Sequence, residues 1–136
     1  MSVIRPRPER LRKPAPRPRP RTRGAGVPPA LRAALHQRAG SCCERCGIRA
    51  TNFHHRKNRS QGGLNELSNA LLLCGSGTTG CHGWITEHPA EAYEMGWSVR
   101  STDDPATRRV RLVYGWVLLD NAGGVTPAAE NEQEAS

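Results

Sequence analysis

The amino-acid sequence predicts a small α+β domain, and three features point there. Short apolar runs of strand length, Ala50–Arg56 and Ala70–Cys74, alternate with segments of helical period. Proline and glycine punctuate nearly every boundary. Two pairs of cysteines bracket those runs. The 136 residues leave room for one domain. With 36% hydrophobic and only 4% aromatic residues the core is poor, so a covalent or metal cross-link is expected to supplement it.

Residues 1–26 carry six of the eleven prolines, in Arg-Pro alternation, and residues 1–23 hold nine basic residues against the single acid Glu9. Proline withholds backbone donors and arginines repel one another, so this segment reads as a disordered basic arm, suited to lying along phosphates. Pro28-Pro29 opens a helix that runs to Ala39 and stops at Gly40, with Leu31, Ala34 and Leu35 as its apolar stripe. A tight cysteine-bearing turn, Ser41–Gly47, precedes the first strand. A basic loop, Lys57–Gly63, leads towards the second strand, and a glycine-rich loop, Gly75–Gly80, towards a helix from Cys81 to about His88. Pro89 starts another helix that Gly96 ends. Trp97–Arg100, Val110–Val113 and Trp116–Leu119 read as strands, the last two forming a hairpin at Tyr114-Gly115. Residues 121–136, small and acidic, read as a disordered tail. The expected division is therefore 1–26 arm, 27–120 domain with a motif core at 41–89, and 121–136 tail.

Cys43-Glu44-Arg45-Cys46 is a C-x2-C pair, and Cys74 and Cys81 form a second. Four thiolates at such positions can close around a tetrahedral structural Zn²⁺. The second pair is widely spaced, and Gly75, Gly77 and Gly80 supply the freedom to fold that loop back. Cys42 is the odd thiol, and a register that uses it in place of Cys43 stays open. Between the pairs lie His54-His55, with Arg56, Lys57 and Arg59 following. Adjacent strand residues face opposite ways, so the two histidines suit two roles, one as ligand to a cation and the other as base to a water. The three basic residues beside them are candidate phosphate contacts. Trp84 and Ile85 read as core and His36 as a surface residue.

The segment CERCGIRATNFHHRKNRSQGGLNELSNALLLCGSGTTGCHGWITEHP resembles the HNH endonucleases of the ββα-metal kind, over about a third of the chain. The resemblance is nearest to HNH proteins of actinobacterial phages, often encoded beside terminase genes. It implies a zinc-stapled ββα-metal fold that hydrolyses DNA phosphodiester bonds. His55 then stands as general base, and His54 and His82 as ligands of a catalytic divalent ion (Mg²⁺, Mn²⁺, Ni²⁺ or Zn²⁺). Asn69 is the middle letter of the motif, bracing the base loop or touching metal, and Cys43, Cys46, Cys74 and Cys81 are the zinc ligands. Many relatives carry a further histidine four residues after the last one, whereas this chain has Thr86 there and His88 six residues along, facing away. The implied partners are DNA and a phage terminase large subunit.

The +8 net charge sits mostly in the arm, since residues 24–120 hold eleven basic and eight acidic residues. No apolar run approaches the roughly 20 residues of a membrane helix, and the N-terminus lacks the apolar stretch of a signal peptide. A soluble protein of the bacterial cytoplasm, with reduced cysteines and no membrane partner, is therefore expected. The rival expectation is a zinc knuckle that binds DNA without cutting it. A secreted nuclease toxin would need translocation segments that the sequence does not show.

Overall fold

The computed structural model describes residues 26–129. The basic arm and the last acidic residues lie outside them. Three helices and five strands follow in the order α1 (Pro29–Ala39), β1 (Asn52–His55), β2 (Ala70–Leu73), α2 (Gly80–Glu87), α3 (Pro89–Met95), β3 (Val110–Leu112), β4 (Gly115–Leu119) and β5 (Val125–Pro127). Strands β1 and β2 form an antiparallel pair, with His54 opposite Leu71 and His55 opposite Ala70. A separate antiparallel sheet runs β3-β4-β5. No helix among the described residues is long and apolar enough to cross a membrane.

Helix α1 starts with proline in its first turn and ends at Gly40 in the left-handed conformation. Its Leu35 is fully buried. All four residues of β2, Ala70-Leu71-Leu72-Leu73, are also fully buried. A strand apolar on both faces needs cover on both, and α1 and α2 each pack against it. Burying one leucine side chain stabilises by about 1.5–3 kcal/mol, so this short strand anchors the core. Ile85, Val110, Leu112, Val117 and Leu119 continue that core towards the second sheet.

Two inward-turned arginines hold the layers in register. Arg38 grips Glu44 through two parallel hydrogen bonds, Nε to Oε2 at 3.0 Å and Nη2 to Oε1 at 2.8 Å. It also donates to the carbonyls of Leu67 and Ala70, and Glu44 accepts from the Leu72 backbone. This ties α1, the cysteine turn and β2 together. Both side chains are almost wholly buried. Removing one partner from such a hydrogen-bonded pair costs about 3–5 kcal/mol because the other charge is stranded. Arg56, 1% exposed, donates to the carbonyls of Gly96, Ser68, Pro105 and Arg108. Burial, with nearby Arg38 and Arg108, lowers its pKa to about 9, against a partial offset from Glu44.

Two sequence expectations are corrected here. Trp97–Arg100 is not a strand. After Gly96 ends α3 in the left-handed region, the segment is held by single bonds, Ser98 N to Ala92 O and Val99 N to Arg56 O. Nor is residue 121 onward all tail, because β5 pairs with β4. The Asp120 carboxylate accepts from the backbone N–H groups of Ala122 and Gly124 and closes a turn between them. A turn built from small, polar residues has the same composition as a disordered tail, and only the strand that follows it distinguishes the two.

Candidate metal centre and histidine cluster

The Cys43 and Cys46 side chains come from the turn after α1, Cys74 from the end of β2, and Cys81 from the first turn of α2. All four sulfurs lie within 4.8 Å of one another. A tetrahedron with Zn–S bonds of about 2.3 Å has edges of about 3.8 Å, and the Cys46 and Cys74 sulfurs are 3.7 Å apart. The donor set fits a closed structural site for a metal such as zinc. The wide second pair closes because the Gly75–Gly80 loop doubles back: an added Cβ on Gly80 would meet Gly75 Cα at 2.7 Å, and Gly80 has φ +64°. Cys42 stays out of the cluster, in an isolated bridge to Arg49, which settles the register on Cys43.

The sulfurs receive N–H groups: Cys46 N to Cys43 at 3.4 Å, Cys81 N to Cys74 at 3.4 Å, and Arg45 Nη1 to Cys81 at 3.1 Å. Burial pushes the Cys43 thiol up, but backbone donors at Cys46, Cys74 and Arg45 outweigh it and bring the pKa to about 7. Burial pushes Cys81 and Cys46 upward, at Cys81 against the opposing pull of the Arg45 guanidinium. Arg45 itself sits in the corner that Trp84, 4.3 Å away, and Trp97, 4.4 Å away, form edge-to-face.

The histidines sit beside this cluster. His54 is buried, and its Nε2 lies 2.8 Å from the Trp97 carbonyl. A carbonyl only accepts, so Nε2 carries the proton and Nδ1 keeps its lone pair. The His82 ring stands nearly perpendicular to that of His54, centroids 5.1 Å apart. His82 Nδ1 is buried with no hydrogen-bond partner, an orphan that a cation would satisfy. Burial, and to a lesser degree nearby His82, His55 and Arg56, holds His54 down to about 4, against an opposing pull from the Trp97 carbonyl. Burial also lowers His82. Both rings are thus neutral near pH 7, the state a ligand requires. Among the described residues no third His, Cys, Asp or Glu joins this pair as the cysteines join each other. Thr86 spends its hydroxyl on the His82 carbonyl, and His88 stacks on Trp84 at 3.9 Å.

His55 faces the other way, beside Phe53, with Nε2 2.8 Å from Asn65 Oδ1. That amide oxygen accepts, so Nδ1 is left as a base. Asn69 is buried, and its amide is committed to the loop after β1: Oδ1 accepts from Lys57 N, and Nδ2 donates to the Lys57 and Leu64 carbonyls. Of the two roles left open for it, bracing the loop is the one its hydrogen bonds serve. The loop closes tightly at Gly63, where an added Cβ would land on the Lys57 carbonyl.

The structure brings His54 and His82 together, sets His55 on the opposite face of β1, and leaves Lys57 half-buried and Arg59 exposed beside the loop. Arg56 as a phosphate contact is corrected, because its guanidinium is turned inward onto four carbonyls. Period two along the strand holds the signal, since residue 56 shares the face of residue 54. Asn65 and the Trp97 carbonyl escape sequence reasoning. Nothing local marks either one, as each meets its histidine through a loop closure. No family model, curated protein or solved structure matches the chain.

Proposed function

We propose that this chain is a metal-dependent endonuclease of the HNH kind that hydrolyses DNA phosphodiester bonds. The observation that carries this reading is the division between the two adjacent histidines. His54, locked on the Trp97 carbonyl through Nε2, keeps Nδ1 free, and its ring lies edge-to-face with that of His82, whose Nδ1 is orphaned. His55, locked on Asn65, keeps Nδ1 for a proton. One face of β1 offers ligands and the other offers a base.

His54 and His82 would hold the divalent cation, which supplies charge stabilisation at the phosphate and at the departing oxygen. Two imidazoles suit Mn²⁺, Ni²⁺ or Zn²⁺ by ligand softness, and Mg²⁺ by cellular supply. His55 Nδ1 accepts a proton from a water, whose oxygen attacks phosphorus as the bond to the 3′ oxygen breaks, leaving a 5′-phosphate end. Asn65 fixes the imidazole tautomer throughout. Asn69 holds the loop from Lys57 to Leu64 so that Asn65 stays in reach. Lys57 and Arg59 stand where a phosphate chain would approach.

Cleavage of supercoiled plasmid, tested across Mg²⁺, Mn²⁺, Ni²⁺ and Zn²⁺ with wild type and His55→Ala, decides the matter. Metal-dependent nicking that His55→Ala abolishes is the expected result. A second reading, a zinc knuckle that binds DNA without cutting, draws on Thr86 and the two-donor pair, and it predicts binding with no cleavage in any metal. A role beside a phage terminase large subunit rests on the sequence resemblance and is tested by co-purification of the two proteins.

A further inference from the structure

Away from the histidines, α3 and the β3–β4 hairpin border an open cleft of about 520 Å³. Three arginines line it, Arg100, Arg108 and Arg109, against one acid, Glu94. Two of them lie on aromatic rings: the Arg100 guanidinium is 4.3 Å from the Tyr93 centroid, and that of Arg109 is 4.0 Å from Trp116. Arg109 also donates to the Ala129 carbonyl. A guanidinium stacked on a ring gives up rotational freedom while its N–H donors stay in the plane, pointing outward. That geometry suits the bidentate recognition of phosphate. The rings are covered by arginine and so are not platforms for stacked bases, which favours the backbone of a duplex over splayed single strands.

We propose that this cleft is a second, sequence-independent DNA contact, gripping phosphates that flank the cutting site. It rests on the nuclease reading for the identity of the substrate. The cleft is rigidly joined to β1, because Arg56, which directly follows His55, binds the Arg108 carbonyl at 2.8 Å. DNA held at Arg100 and Arg108 is thereby held in fixed relation to the histidines.

The test uses the full-length His55→Ala chain, a fluorescent duplex and a salt titration followed by anisotropy. Adding Arg100→Gln and Arg108→Gln together should weaken binding about tenfold at physiological salt. The log–log salt slope should shrink by about 0.9 for each phosphate that the variant no longer neutralises. Arg100→Gln alone, on an exposed side chain, should give about half the slope change and keeps the test usable if the double variant fails to fold. Tyr93→Leu keeps every charge but frees Arg100, so it should weaken binding a few-fold with the slope preserved. Zinc content and thermal unfolding check that the fold persists. If wild type cuts plasmid and the arginine variants bind with unchanged affinity and slope, the cleft is overturned and the nuclease reading stands. If wild type cuts nothing while the variants lose affinity and slope, the cleft stands and the nuclease reading falls. A chain that binds no duplex overturns both.

Discussion

The four cysteines and the His54–His82 pair both gather donor atoms, yet they differ in how complete the donor set is. The cysteine cluster is complete, with four sulfurs within 4.8 Å and N–H groups donated to three of them. The histidine pair is incomplete, two neutral imidazoles with one orphaned nitrogen and no third His, Cys, Asp or Glu grouped with them among the described residues. A closed tetrahedral site spends its coordination on holding the chain, and an open one keeps positions for water and substrate. Metal at the first site would therefore be folding energy, whereas on the proposed reading metal at the second would act on a fold that already exists.

The sharpest way to break that contrast is Cys46→Ser. Structural zinc contributes an apparent 10–16 kcal/mol or so in small zinc domains, comparable to or larger than a whole domain's margin of about 5–15 kcal/mol. The variant should lose zinc and its cooperative thermal transition together. Well-folded protein without zinc by metal analysis would show that the cluster is not the staple.

His55→Ala comes next. It should retain zinc, fold and DNA binding, while the single-turnover cutting rate falls by roughly 10²–10⁴. His82→Ala should lose cutting as well, but part of that loss should return at high metal concentration. Rescue of His55→Ala by added metal would mean that base and ligand are assigned to the wrong histidines.

Acid should act on the buried His54. His54 has a folded pKa of about 4 and an unfolded value near 6.5. Between those values the unfolded chain binds the extra proton, so stability is full above pH 6.5 and is lost as pH falls towards 4. The loss amounts to at most roughly 3 kcal/mol. The clustered cysteines also exchange protons with pH, so the measurement is the difference in the slope of stability against pH between wild type and His54→Gln. Equal slopes would remove His54 from the acid response.

The smallest effect sharpens the contrast from the open side. Thr86→His places an imidazole one helical turn after His82 on the same face. Half-maximal cutting should then need several-fold less metal, read from a metal titration of plasmid nicking. An unchanged requirement would show that position 86 does not reach the cation.

Local chemistry is legible where the sequence itself brackets it. The cysteine pairs, the His-His dipeptide, the proline-started helices and the glycine stops are short-range patterns, and the described elements follow them closely. The placement of the histidine nitrogens is not legible. It depends on the Trp97 carbonyl, 43 residues from His54, and on Asn65, across a loop whose closure turns on Gly63 and Asn69. Arg56 shows the same limit from the other side: its charge suggests phosphate, but tertiary packing gives it four carbonyls.

Composition and spacing alone determined that the chain is a small α+β unit needing a cross-link, and that paired cysteines can supply it, because thiolates and tight turns act over a few residues. The tertiary structure decided that Cys43 rather than Cys42 joins the cluster, and which nitrogen of each histidine is free. It also decided whether a given arginine faces water or carbonyls, and that residues 125–127 join a sheet. Each of those outcomes depends on which backbone carbonyl, amide or sulfur arrives opposite the group, and distant loop closures set that.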